Sequence, residues 1–160
     1  MIPDTIEKVK RSQFLTFLDT SATSTPNWKV LGIGITDYGI DYNPQVDTEK
    51  WIIEDNARND HTSNEKQSSV TQKIYKGDPC FEFVEKARDQ LNYKSKVLDV
   101  DRWNGTNNVY PAKLSNVIIT INTWMGEEAT IEYDMYYDGD PEEVQVQFDS
   151  NGNPSIVASL

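Results

Sequence analysis

The chain has one cysteine, Cys80, and one histidine, His61, in 160 residues. A single thiol forms no intrachain disulfide and supplies no cysteine-based zinc set, and a lone imidazole removes most His-dependent catalytic designs. Basic residues are scarce too: 15 Lys and Arg stand against 26 Asp and Glu, for a formal net charge of −11. A surface that grips nucleic acid by its phosphates needs clustered cations, so direct DNA binding is disfavoured. Like charges do keep a duplex off a wall, and passage of DNA past such a surface fits this balance, as plain solubility does. No apolar run approaches the length needed to cross a bilayer. The opening MIPDTIEKVKRSQ lacks the apolar stretch of a secretory signal, so the expectation is a chain that stays where it is made.

What the chain does hold is aromatic and β-forming residues. An aromatic content of 11% beside a mean hydropathy of −0.64 marks a folded, well-hydrated chain rather than a disordered one. The length suits one domain over 1–160. Ile2, Ile6 and Val9 recur at near-helical spacing in an arm over 1–9 that is too short to be stable without a neighbour. A first strand is expected over 10–19. Then comes the hairpin on which the reading turns: a strand over 35–42, a turn at Asn43-Pro44, and a return over 46–53. Trp28 and Trp51 flank it and are expected to share one apolar face. Gly32 and Gly34 suit a bend or a close approach of backbone. Residues 55–69, DNARNDHTSNEKQSS, are polar and without period, so a long loop is expected there.

A strand over 70–76 leads to the one helix, expected over 78–92. Asp78 is its N-cap, Pro79 occupies the first helical position, and Phe81, Val84, Arg88 and Leu91 form one stripe. Further strands are expected over 95–103, 117–124, 130–137, 144–148 and 155–157. Asn104-Gly105, Met125-Gly126, Asp138-Gly139-Asp140-Pro141 and Ser150-Asn151-Gly152 separate them as turns. The fold class is therefore mainly β with one helix: an antiparallel β-sandwich or partly closed barrel flanked by one α-helix. Trp28, Trp51, Phe81, Val84, Leu91, Ile119 and Ile121 are its expected core markers.

Chemistry has few footholds. Asp60-His61 is the one His–acid pair, it lies in the polar loop, and no nucleophile elbow surrounds it. Cys80 falls in the first helical turn, where a dipole favours a thiolate, yet a lone Cys there more often packs. The acids Glu132, Asp134, Asp138, Asp140, Glu142 and Glu143 lack the spacing of a calcium loop and read as solvated side chains. No enzyme activity, cofactor or metal is expected. The polar second faces of the strands either meet water in a monomer or line a wet channel once subunits join their sheets.

The order Trp28, Leu31-Gly32-Ile33-Gly34-Ile35, a strand, Tyr42-Asn43-Pro44, then Val46-Asp47-Thr48-Glu49-Lys50-Trp51-Ile52 resembles the major tail (tail tube) proteins of long-tailed bacteriophages. It is most similar to those with non-contractile tails that infect Gram-positive hosts. The resemblance runs on through the polar loop, Tyr75-Lys76-Gly77-Asp78-Pro79 and Phe81-Glu82-Phe83. It implies a structural virion protein, assembled in the host cytoplasm, that forms hexameric rings stacked around a tape measure protein. Tail terminator and distal tail proteins are the other implied partners, and DNA passes through the lumen without specific binding. It also implies that the 55–69 loop and the N-terminal arm bridge subunits, through Ile2, Ile6, Asn56, Arg58, Asp60, His61, Asn64 and Lys66. The rival readings are the inner tube of a contractile tail or tailocin, and a monomeric carbohydrate-binding module using Trp103, Trp124 and the tyrosines.

Overall fold

The computed structural model describes residues 6–21 and 23–159. They form one antiparallel sheet nearly closed into a barrel, a projecting two-stranded arm and one short helix. In chain order the strands are β1 (Phe14–Asp19), β2 (Trp28–Val30), β3 (Pro44–Glu49), β4 (Arg58–Asn64), β5 (Gln67–Lys73), β6 (Tyr93–Asp101), β7 (Tyr110–Gly126), β8 (Thr130–Phe148) and β9 (Pro154–Ser159). Helix α1 (Pro79–Val84) lies between β5 and β6. The main sheet runs β2-β1-β6-β7-β8-β5, with β9 also paired to β8, while β3 and β4 pair only with each other.

Two long strands carry the sheet. β8 pairs with β7 along its length and shares its other edge between β5, over 130–136, and β9, over 144–148. The expected turn at 138–141 does not interrupt it. Leu114 pairs with Glu142 and Asn116 with Asp138, so Gly139, Asp140 and Pro141 together face the single residue Ser115. Gly139 takes a φ of 78° there. Gly and Pro mark bulges as well as turns, and here the tertiary sheet selected the bulge.

Alternate residues of a strand point to opposite faces, and this sheet buries both. Val117 and Ile119 of β7, with Ile131, Tyr133 and Met135 of β8, join Leu18, Val97 and the helix residues Phe81 and Val84 in one core. Ala112 of β7 and Val144 and Val146 of β8 join Phe17, Trp28, Leu98 and Val100 in a second, capped by Tyr110 and Phe148. Ile121 is partly buried against the first core.

Four expectations are corrected. Leu91 is 95% exposed, because α1 ends at Val84 and a 3₁₀ turn over Glu85–Ala87 brings the chain out before residue 91. Trp51 is not core either: it is 47% exposed and far along the arm, whereas Trp28 is buried, so the two share no face. The hairpin is shifted. Pro44 begins β3 instead of turning the chain, and β3 returns as β4 within the segment expected to be loop. The remainder of that segment starts β5, which hides its alternation by turning Ser68 and Gln72 inward beside Val70.

The first hairpin strand, expected over 35–42, is instead a segment that touches the outer edge of β5 at Gly34 and Asp41. The Lys73 N–H donates to the Gly34 carbonyl, and Asp41 and Gln67 exchange both backbone bonds. This ties the segment to the two ends of the β5 edge, at Gln67 and Lys73. Gly34 is required here: its φ is 77°, and a Cβ would collide with the Lys73 carbonyl.

Candidate functional site

From residue 41 to residue 65 every residue but Glu54 is exposed. A two-stranded ribbon in water is marginal by itself, and this one buries neither face. Its contacts are a backbone ladder and surface polar bonds. Thr48 Oγ1 donates to Asn59 Oδ1 at 2.7 Å and Thr62 Oγ1 to the Gln45 carbonyl at 3.2 Å. Asp47 stands directly opposite Asp60, which opposes pairing rather than helping it. Six residues at about 3.3 Å each carry β3 roughly 20 Å out from the sheet.

The end of the arm is apolar. Ile52 is 101% exposed and Ile53 83%. The turn is closed by the Glu54 N–H donating to the Trp51 carbonyl at 3.0 Å. Arg58 fixes it: its guanidinium lies 4.0 Å from the Trp51 ring centroid and forms a fork with the Glu54 carboxylate, while Trp51 Nε1 donates to Glu49 at 2.9 Å. The pairing with Glu54 raises the Arg58 pKa. These contacts define the shape of the tip, with Ile52 and Ile53 left to solvent.

At the base of the arm lies a cleft of about 600 Å³, lined by His61, Asn64, Lys66, Lys113, Tyr137 and the bulge at 139–141, among others. The Lys66 ammonium sits 4.9 Å from the ring centroids of both Tyr42 and Tyr137. Burial lowers its pKa, with the Lys113 charge adding to the effect. Beneath it is a buried carboxylate, Asp99, which accepts from Thr16 Oγ1 at 2.7 Å and Tyr137 Oη at 2.9 Å. Burial pushes Asp99 above the usual carboxylate range, against these hydrogen bonds and the Lys66 charge. The Asp99 carboxylate and desolvation in turn push the Tyr137 hydroxyl up.

The structure brings some expected contact residues together. His61, Asn64 and Lys66 share the basal cleft, and His61 Nε2 and Asn64 Oδ1 are 2.7 Å apart. Arg58 and Asn56 lie toward the tip, and Asp60 lies on β4. Ile6 is 66% exposed, apart from the arm, and Ile2 lies outside the described residues. As neighbours on one strand, Asp60 and His61 point to opposite faces and form no dyad.

Cys80 is a packing residue: it is buried in the helix-side core and its thiol is pushed up to about 12 by burial. Trp124 is engaged as well, stacked on Phe81 with Arg88 4.0 Å from its centroid, which leaves a poor platform for a sugar. Among the described residues no cluster of metal-ligating side chains occurs, and no helix is long and apolar enough to cross a membrane.

Two functional features escaped sequence reasoning. Ile52 and Ile53 fall at the end of the returning strand expected over 46–53, although a Trp-Ile-Ile run at the end of a polar ribbon is itself the signal. Lys113 and Tyr137 reach the basal cleft through strand pairing that no local pattern reveals. No protein-family model matches the chain, and no curated protein matches it in sequence.

Proposed function

We propose that this chain is a structural subunit of a phage tail tube, a polymer whose work is association rather than catalysis. One observation carries the reading: an arm of exposed strands ends in Trp51, Ile52 and Ile53, which none of the described residues buries. Such a tip is a liability in a solitary protein and an anchor in an assembled one.

Other features support it. The tail tube resemblance gives segment 55–69 the contact between stacked rings, and residues 58–64 of that segment form the returning strand of the arm. Among the described residues β9 pairs only with β8 and exposes Ile156 and Val157, leaving an edge for a neighbouring copy. The acidic balance suits a conduit that DNA crosses without sticking. In this reading hexameric rings stack around a tape measure protein in the virion tail.

Negative-stain microscopy of concentrated protein tests the proposal. Rings or tubes are the expected result, and strictly monomeric particles at every concentration would overturn it.

A further inference from the structure

A second cleft, of about 470 Å³, opens between the start of β1 and segment 31–38. Leu31 and Thr16 are buried at its floor, and Phe14, Leu15, Ile35 and Tyr38 are half-buried around it. Arg11 and Asp37 stand exposed at its rim. We propose that this cleft is the receptor for the arm tip of a second copy, with Ile52 and Ile53 entering between Phe14 and Ile35. The inference rests on the assembly reading above and names its contact.

Three arguments select this occupant. The tip is aliphatic and held in shape before contact by Arg58, Glu54 and Glu49, so little order is lost on docking. Its flanks match the rim: Lys50 and Asp55 bracket the turn, as Asp37 and Arg11 bracket the cleft, giving opposite-sign pairs in one orientation. The basal cleft suits an aliphatic tip less well, since seating it there would desolvate the charges of Lys66 and Lys113. Tip and cleft are also different surfaces of one chain. Contact between them builds rings or open stacks when it runs head-to-tail, and a closed pair only when two copies exchange arms reciprocally.

Cysteine cross-linking tests the contact, because the native Cys80 is buried and will not compete. Ile52→Cys protein is mixed with Ile35→Cys protein, or with Phe14→Cys should the first receptor variant fold poorly, and oxidised under assembling conditions. A mixed disulfide dimer is expected as the main product, with little from either variant alone or from Ile52→Cys mixed with Ile156→Cys. Ile52→Asp with Ile53→Asp, at positions that pack on nothing, is expected to fold normally and lose at least tenfold in assembly. Rings or tubes without the mixed disulfide, or equal linkage to Ile156→Cys, would overturn the receptor while leaving assembly standing. Absence of any assembly in the unmodified chain would overturn both.

Discussion

Gly34 shows how much one residue holds in place. It sits at positive φ with the Lys73 carbonyl where a Cβ would go, and its own carbonyl accepts from Lys73. Gly34→Ala should therefore cost roughly 1–3 kcal/mol in urea unfolding and loosen the tie to β5. Asp99 offers a test of a different kind. Burial raises its pKa in the folded chain, so the fold binds the proton more tightly than the unfolded chain does. Its contribution to stability is fully present below the unfolded carboxylate pKa and is lost as pH rises through the raised one. Asp99→Asn removes that dependence. The stability difference between parent and variant, followed by urea midpoint from acid to neutral pH, should shift steadily in favour of Asn. A flat difference would mean that Asp99 is not desolvated. Lys66, whose charge opposes the shift, and Asp101, whose charge adds to it, are the charged groups acting on Asp99.

The elements separate into those that bury a face and those that do not, and legibility in the sequence followed that line. β7 and β8 were readable because Val117, Ile119, Ile131, Tyr133 and Met135 alternate against one core. The start of α1 was readable as well, from Asp78-Pro79, and Asp78 does accept from the Cys80 N–H at 3.1 Å. Its length was not. The stripe that ended at Leu91 is a pattern without burial, since the chain leaves the helix after Val84. β4 was invisible because RNDHTSN faces water on both sides, and a strand with no buried face has no period to detect. The inward polar residues of β5 had the same effect: Gln72, fully buried, donates to Asp78 and to the Ile33 carbonyl. Of the candidate site, His61, Asn64 and Lys66 were legible as contact residues only through the resemblance, and the apolar tip not at all. The correction at the helix has a direct check. Leu91→Ala should change stability by less than about 0.5 kcal/mol, as a surface substitution does, while Ile119→Ala should cost roughly 2–5 kcal/mol. Equal effects in thermal unfolding would contradict the burial described.

At the scale of the whole molecule, the chain is a closed body with two unfinished features, an arm that covers nothing and a free edge at β9. The arm is separable by construction. The Glu65 N–H donates to the Asn43 carbonyl at 3.3 Å, so residues 44–64 leave and re-enter the body at one point. Both cores lie outside that segment. The most direct measurement of the central claim is sedimentation velocity, across a concentration series, of the full chain beside a variant in which a short glycine turn replaces 44–64. The full chain should pass from monomer to large rings or tubes as concentration rises, while the variant keeps its thermal unfolding transition and remains monomeric throughout. Assembly of both to the same extent, or of neither, would contradict the account.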